Sequence, residues 1–206
     1  VITNIEADHL EYYGTLEAII EAFRIYTGGV KENGVIIGCC DDEHVARMLR
    51  HAERPVVRYG FTEHADIRAT NVEFSDKGSS FEVPGLGFFK LFIPGEHNVR
   101  NALAAIAVGR HLGIPAETIA GALARSLGVD RRFQILGECN GALVVDDYAH
   151  HPTEIRATLE GARGGYPSRR LVALFQPHLY SRTRDFANEF AEALSLADVA
   201  LIAPIF

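Results

Sequence analysis

The segment that most constrains the fold of this chain is the turn that follows an apolar run at residues 142–145. That run is typical of a buried strand, and residues 154–159 beyond the turn have the spacing of an amphipathic helix. Pro152 stands where the helix would begin, a position that suits proline. Strands that lead directly into helices build α/β proteins, whose ligands bind where a strand's carboxyl end meets a helix's amino end. The sequence therefore predicts an α/β fold with a site at this turn.

The turn itself concentrates polar side chains. Its residues are, in order, Asp146, Asp147, Tyr148, Ala149, His150, His151, Pro152, Thr153 and Glu154. A helix cap within a solvated loop would explain Asp147 and Thr153. It leaves the phenol and the two imidazoles unexplained. The composition therefore favours a functional site over a capping turn.

The rest of the chain alternates between predicted strands and helices. Helices are expected at residues 15–27, 42–49, 94–112, 115–123 and 181–194. Strands are expected at residues 1–5, 35–37, 55–59, within 66–93, at 142–145, 171–175 and 199–203. Residues 66–93 predict a small mixed sheet. After residues 131–133 the predicted order is strand, strand, helix, strand, helix, strand, with parallel strands in the last third of the chain. A boundary near residues 128–132 gives two predicted domains, 1–130 and 131–206.

Charge and composition exclude several classes of protein. The 206 residues carry a formal net charge of −7, which argues against general nucleic-acid binding because phosphate neutralisation needs a basic face. No apolar stretch approaches the length of a membrane span, and no signal peptide is present. The three cysteines lack the spacing of a disulfide framework or a metal site. We expect a cytosolic protein with neither nucleic acid nor membrane as a partner.

A second candidate site lies at residues 3–9, where a predicted strand end delivers Glu6, Asp8 and His9 into a loop. These groups could hold a hard divalent cation near phosphates, since such cations need only one or two protein ligands. The alternative, in which Asp8 caps a helix and His9 is a surface residue, has equal support from the spacing.

A third candidate opens the alanine-rich helix at residues 94–112. His97 and Asn101 are four residues apart and share a helix face, with Asn98 between them. Amide side chains there offer paired donors and acceptors for a purine edge. Capping by Asn98, with a structural role for the others, has slightly more support from the sequence alone.

Arginines mark two further candidates. Arg131 and Arg132 at the predicted boundary could bind phosphate from a hinge, although a solvated basic pair is the commoner explanation. Arg182 lies near the start of a helix that follows the strand at 171–175 and the sequence Gln176-Pro177-His178. An arginine there opposes the helix dipole unless an anion binds. The two strand-end turns together predict a cleft for phosphates and carboxylates.

Five segments occur here in an order and with residues that resemble the Mur ligases of bacterial cell-wall synthesis, and among them the alanine-adding ligases. The segments are residues 3–9, 95–105, 131–133, 146–154 and 175–183. The resemblance covers essentially the whole chain. It implies that residues 1–130 form the C-terminal part of a central ATP-binding domain with a mixed sheet, and that residues 131–206 form the first part of a Rossmann-like C-terminal domain.

The resemblance also implies an activity, with ATP and Mg²⁺ as cofactors and UDP-N-acetylmuramate and L-alanine as substrates. The muramoyl carboxylate is phosphorylated to an acyl phosphate, from which the amine displaces phosphate. Domain closure excludes water, and catalysis depends on positioning and charge neutralisation.

Residue roles carry over position by position. The resemblance assigns magnesium to His9, the adenine to His97, Asn98 and Asn101, the ATP phosphates to Arg132, and the ribose to Asp147. It assigns the amino-acid and acyl-phosphate side of the cleft to Tyr148, His150, His178 and Arg182. The implied catalytic set is Arg132, Asp147, His178 and Arg182.

The chain also departs from the family pattern. No lysine follows a glycine, so the family's phosphate loop is absent, as are the uridine-binding N-terminal domain and the far end of the C-terminal domain. The helix at 15–27 lacks the modified lysine of some sister ligases. Because the chain opens at Val1 in a predicted strand and stops at Phe206 after an apolar run, we expect a segment of a longer protein that is inactive alone.

Three alternatives remain from the sequence. A ligase that reattaches recycled tripeptide to UDP-N-acetylmuramate shares most of the motifs. A non-catalytic nucleotide-binding paralogue is the second alternative. A metal hydrolase built on Asp8, His9, His150 and His151 is disfavoured, because these residues fall in different predicted domains.

Overall fold

The computed structural model describes all 206 residues, Val1–Phe206. Its contacts divide the chain into two compact units. The first unit consists of Val1–Val72, Phe81–Phe89 and Val99–Leu123, and the second of Glu73–Ser80, Lys90–Asn98 and Ala124–Phe206. The chain therefore alternates between the units before residue 124 and stays in the second unit after it.

Helices and strands alternate along the chain, as expected for the α/β class. The helices are α1 (Leu10–Tyr13), α2 (Leu16–Gly28), α3 (Glu43–Arg50), α4 (Glu96–His111), α5 (Ala116–Leu123), α6 (Pro152–Gly165), α7 (Tyr180–Asp185) and α8 (Ala187–Leu194). The strands are β1 (Ile36–Cys39), β2 (Val56–Gly60), β3 (Ile67–Arg68), β4 (Thr70–Ser75), β5 (Gly78–Val83), β6 (Gly87–Leu91), β7 (Gln134–Cys139), β8 (Ala142–Asp146), β9 (Val172–Phe175) and β10 (Val199–Ile202).

The first unit is built on a parallel sheet of order β1-β2-β3. The predicted strand at residues 1–5 contributes only an isolated parallel bridge between Ile2 and Gly38. Helix α2 begins where the Thr15 hydroxyl accepts a hydrogen bond from the amide of Ala18, as its capping position predicts. The buried core that joins sheet and helices includes Ile2, Ile5, Ile19, Ile36, Val45 and Leu49.

Strands β4, β5 and β6 form the small sheet predicted within residues 66–93. The turn before β5 requires glycine at position 78, where φ is +112°. A Cβ atom there would also collide with the carbonyl oxygen of Leu91. The predicted turn at residues 76–78 is therefore fixed by both backbone conformation and close approach.

The second unit holds two two-stranded sheets, β7-β8 and β9-β10. The parallel pairing predicted after residue 131 is confirmed for β9-β10 but is wrong for β7-β8, which pair antiparallel because the two-residue turn Asn140-Gly141 joins them as a hairpin. Their apolar core comprises Ile155, Leu159, Phe175, Phe190, Ala193 and Leu194. The sequence predicts one helix over 181–194, but the structure has two, α7 and α8, separated at Phe186. Phe186 leaves helical geometry (φ −116°, ψ 26°) while its ring packs on that of His151, so a tertiary contact interrupts the helix.

Cys39, Cys40 and Cys139 are all free thiols. Burial raises the pKa of Cys39 and of Cys40, which disfavours their reactive thiolate forms. None of the helices combines the length and the apolar character needed to cross a bilayer.

Candidate active site

The turn at residues 146–154 joins β8 to α6 and is closed by a capping box. The His151 side chain accepts from the amide of Thr153, and the Glu154 carboxylate accepts from the amide of His151 at 3.3 Å. Pro152 occupies the first helical turn, as its position in the sequence predicts. The cap is therefore made by His151 and Glu154, and not by Asp147 or Thr153.

Asp147 binds the turn to other parts of the second unit. Its carboxylate accepts hydrogen bonds from the amides of Phe133 (2.9 Å) and Ala149 (2.8 Å) and from the Thr158 hydroxyl (3.0 Å). A carboxylate has about four acceptor positions, so three partners use most of its capacity. Phe133 itself is buried with φ at +47°, a conformation that the bond to Asp147 helps to hold.

Tyr148 projects outward from the same turn and is 50% exposed. The guanidinium carbon of Arg131 lies 4.6 Å from the centre of its ring, and that of Arg132 lies 5.8 Å away. The ring of His150 packs edge-on at 5.0 Å. One exposed aromatic ring therefore gathers two guanidinium groups and an imidazole, while Arg131 also pairs with Asp146 at 3.6 Å.

Glu154 contacts both Arg132 and His150. Its Oε1 accepts from Nη1 of Arg132 at 3.2 Å, and its Oε2 accepts from the amide of His150 at 2.9 Å. Burial of the carboxyl raises the pKa of Glu154, but the His150 amide, the charge of His150 and the contact with Arg132 outweigh burial. The net effect is a pKa below its ordinary value, so Glu154 is ionised at neutral pH.

The second strand-end turn lies between β9 and α7. Arg182 is only 8% exposed, whereas His178 is exposed and its ring stacks on that of Phe206 at 6.0 Å. The His151 ring reaches Phe186, at the end of α7, with ring centres 5.2 Å apart. The two predicted turns thus belong to one unit and are linked by this aromatic contact.

The loop at residues 3–9 places His9 between two carboxylates. Its Nδ1 is 3.4 Å from Oε1 of Glu11, and its Nε2 is 3.7 Å from Oδ2 of Asp8. His9 is exposed and occupies the N-cap position of α1 with φ at +55°, although its side chain makes no capping hydrogen bond. Asp8 is therefore not the cap that the alternative interpretation supposed. No group of three or more His, Cys, Asp or Glu side chains in the chain has an arrangement suited to a metal ion.

The three predicted adenine-binding residues lie near the start of α4. Asn98 is buried and its amide nitrogen donates to the Pro94 carbonyl at 2.8 Å, whereas in capping the side-chain oxygen would accept from a backbone amide. Asn101 is exposed and His97 is half-buried. Just before the helix, Gly95 has φ at +114°, and a Cβ atom there would lie 2.8 Å from Cε1 of the His97 ring. Glycine at this position therefore suits both the backbone conformation and the close approach of His97.

A cavity of about 680 Å³ lies in the second unit between β8 and β9. Asp146 and Asp147 line it, but Arg132, Tyr148, His150, His178 and Arg182 do not. Because those five residues do not line it, the cavity is separate from the cation-rich surface around Tyr148. The strands beside it each have one edge without a strand partner, since β8 pairs only with β7 and β9 only with β10.

From the sequence, no role was assigned to two carboxylates that form ion pairs, Glu154 and Asp41. Glu154 could have been found, because a glutamate at the third helical position signals a capping box. Asp41 pairs with Arg100, whose Nε donates to Oδ2 of Asp41 at 3.1 Å. Those residues are 59 positions apart, so no local pattern indicates the contact.

The fold is α/β, and arginine, tyrosine and histidine lie at one of its strand-to-helix turns, the position at which α/β proteins bind their ligands. Comparison with known families is more specific. The model of the Mur ligase middle domain matches residues 1–109, and that of the Mur ligase glutamate ligase domain matches residues 131–204. The chain belongs to the Mur ligase family.

Curated relatives match the chain over its whole length. It is 47% identical to the UDP-N-acetylmuramate–L-alanine ligase of Salinibacter ruber and 44% identical to that of Chlorobaculum tepidum. In both comparisons all of this chain is covered, but only 44% of the relative. The chain therefore spans less than half the length of these relatives.

Solved structures show the same fold. The UDP-N-acetylmuramate–alanine ligase MurC of Thermotoga maritima matches with a TM-score of 0.77 and 30% identity, covering 98% of this chain and 44% of that one. A MurF ligase from Thermotoga maritima, solved in complex with ADP, matches with a TM-score of 0.82 and 23% identity, over 98% of this chain and 47% of that one. At that identity the second match supports the fold alone.

Proposed function

We propose that the full-length protein containing this chain is a cytoplasmic, ATP-dependent ligase that joins L-alanine to UDP-N-acetylmuramate in peptidoglycan precursor synthesis. The observation that carries this proposal is the identity, between 41% and 47% over the whole chain, to relatives of that name. Because the chain covers 44% to 46% of those relatives, the activity is proposed for the full-length protein, and the chain alone is expected to be inactive.

The proposed reaction has two steps. A carboxylate oxygen of the muramoyl group attacks the γ-phosphorus of ATP, and ADP leaves with the electrons of the broken P–O bond. The uncharged amine of L-alanine then attacks the acyl carbon, the C–N bond forms, inorganic phosphate leaves and the nitrogen loses a proton. Little covalent chemistry falls to the protein, which must position the reactants, neutralise negative charge and exclude water.

Arg132 is proposed to bind the ATP phosphates. Its planar guanidinium carries five donors, and the hydrogen bond to Glu154 occupies Nη1 alone. The fork geometry of the remaining donors suits phosphate oxygens. Asp147 is proposed to bind the nucleotide ribose, because its three internal hydrogen bonds leave part of the carboxylate able to accept a further one. His97, Asn98 and Asn101 are proposed to bind the adenine.

His9 is proposed to lie at the magnesium site. Mg²⁺ prefers oxygen ligands and takes one or two carboxylates together with phosphate oxygens and water. The carboxylate of Asp8, 3.7 Å from the His9 ring, is a ligand of that type. When bound, the ion would neutralise phosphate charge, while His9 and Asp8 would fix its place beside the nucleotide.

Tyr148, His150, His178 and Arg182 are proposed to line the amino-acid side. A buried arginine such as Arg182 is suited to an incoming carboxylate, because an ion pair is strengthened where water is scarce. We propose domains over residues 1–130 and 131–206, with closure of the second over the first to exclude water.

The tripeptide-recycling ligase is the nearest competing function. A murein peptide ligase from Psychrobacter arcticus matches with a TM-score of 0.62 and 27% identity over 90% of this chain. The alanine ligase of Thermotoga maritima has higher values, with a TM-score of 0.77 and 30% identity over 98% of this chain. The comparison therefore favours a free amino acid over a tripeptide as substrate.

The test is phosphate release by the full-length protein with ATP, Mg²⁺ and UDP-N-acetylmuramate. We expect release to require L-alanine and to fall at least about 100-fold in Arg132→Ala, as is typical when a group that stabilises transition-state charge is removed. Arg125→Ala, an exposed arginine outside the turn, is the matched control. Release that depends on the tripeptide instead of L-alanine would establish the recycling ligase, and no release with either would support a non-catalytic paralogue.

A further inference from the structure

Glu154 touches two residues that the proposed function places on opposite sides of the reaction. Its Oε1 accepts from Nη1 of Arg132 at 3.2 Å, and its Oε2 lies 2.9 Å from the His150 amide and 3.4 Å from Nδ1 of His150. We propose that Glu154 is the positioning residue of this site, holding Arg132 so that the rest of its guanidinium faces the ATP phosphates. This inference rests on the proposed role of Arg132 in binding ATP.

The geometry gives Arg132 two restraints. Glu154 holds Nη1, and the ring of Tyr148 lies 5.8 Å from the guanidinium carbon. Arginine loses considerable rotamer freedom when a ligand orders it, so an arginine that is already ordered binds phosphate at lower entropic cost. The Arg132 side chain is 48% exposed and that of Glu154 28%, so the carboxylate anchors the guanidinium from its less exposed side.

The charge state of Glu154 agrees with this role. Burial raises its pKa, but the hydrogen bond from the His150 amide, the charge of His150 and the contacts with Arg132 outweigh that effect and lower the pKa overall. The carboxylate is therefore ionised throughout the neutral range and pairs with Arg132 by a charge-assisted hydrogen bond.

Glu154 also completes the capping box of α6. Substitution by alanine would therefore change the position of Arg132 and the stability of the helix at the same time. Glutamine separates the two functions. It serves at the third position of a capping box as glutamate does, but it carries no charge to hold Arg132. Glu160→Gln, on an exposed position of the same helix, is the matched control.

The experiment is calorimetric titration of ATP into the full-length protein, together with steady-state KM for ATP and kcat. We expect Glu154→Gln to raise both the Kd and the KM for ATP about tenfold, because ATP must then order one rotamer-rich side chain, Arg132, on binding, while Glu160→Gln leaves them unchanged. Both variants should remain folded and unfold cooperatively, because the cap is retained, and Glu154→Gln should lose only the stability that its ionised carboxylate supplies.

A double-mutant cycle decides whether Glu154 acts through Arg132. In an Arg132→Ala background we expect Glu154→Gln to have no further effect on ATP binding. An unchanged Kd in the single variant, or an equal loss in both backgrounds, would overturn the proposal. A wild-type protein that binds ATP but releases no phosphate with L-alanine would refute the proposed function and leave this test intact. A wild-type protein that does not bind ATP would refute both.

Discussion

Two pairs of adjacent aspartates, one in each unit, follow a strand and precede a helix. Asp41 and Asp42 come after β1, and Asp146 and Asp147 end β8 and open the next turn. In each pair at least one carboxylate accepts amide hydrogen bonds from a distant segment. Asp41 accepts from the amides of Phe61 and Thr62, while Asp147 accepts from that of Phe133.

The two turns differ in what surrounds the carboxylate. The cation beside Asp41 is Arg100, which donates to it directly and lies over the ring of Phe61 at 5.0 Å. Asp147 has no arginine partner of this kind, and the cations of its turn gather instead around Tyr148. An aspartate at a strand end is thus not itself evidence of a site. The evidence lies in the exposed side chains that it holds in place.

The largest effect that tests this comparison is expected from Asp41→Ala. The side chain is only 11% exposed, and its removal leaves the Phe61 amide without this acceptor and breaks the contact with Arg100. We expect a loss of about 3 kcal/mol in the free energy of unfolding, measured with denaturant. Arg47→Ala, an exposed cation of the same unit, should lose less than about 0.5 kcal/mol. An equally small loss in Asp41→Ala would mean that the carboxylate is not a structural anchor.

Asp147→Ala should have the next largest effect. It leaves the amide of Phe133, a residue that is 2% exposed, and the Thr158 hydroxyl without their acceptor. We expect a loss of about 2 kcal/mol in the free energy of unfolding.

Asp147→Asn separates anchoring from nucleotide binding. Its amide keeps one acceptor oxygen, so part of the stability should return. If the asparagine variant were fully stable but failed to bind ATP, the parallel with Asp41 would break and the ribose contact would be the main role of Asp147.

Much of the fold follows from local patterns in the sequence. The cap at Thr15, the turn at Gly78 and the strand-to-helix unit that ends with α6 all depend on residues close together in the chain. The split between α7 and α8 does not, because it arises where Phe186 packs on the ring of His151, 35 positions away in sequence. Local spacing carries no information about such a contact.

The site shows the same division. The turn could be predicted because its polar residues are contiguous. The partners that decide their roles could not, since Phe133 binds Asp147 from 14 positions away and Glu154 reaches Arg132 across 22. The residue types indicated where chemistry would occur, whereas long-range hydrogen bonds determine which carboxylates are anchors.

A smaller effect is expected in the acid dependence of stability. The pKa of Glu154 in the folded protein lies below its ordinary value of 4.5. Its stabilising contribution is therefore complete above pH 4.5 and is lost as the pH falls through the lower, folded-state pKa. Glu154→Gln should lose stability less steeply than the wild type on acidification below pH 4.5, whereas Glu160→Gln should follow the wild type. Identical acid profiles for all three proteins would show that the Arg132 and His150 contacts do not stabilise the ionised carboxylate.

The smallest effect on stability is expected on the exposed side of the turn, from Tyr148→Leu. The ring is 50% exposed, and its contact with Arg131 at 4.6 Å is a surface cation–π interaction worth about 0.5 kcal/mol. Unfolding should therefore change little, while kcat/KM for ligation falls at least about tenfold, because both arginines lose the ring that orients them. Tyr148→Phe retains the ring and should keep most of the activity. A leucine variant that loses stability as Asp147→Ala does, or that keeps full activity, would remove the distinction between the carboxylate that anchors this turn and the side chains that it presents.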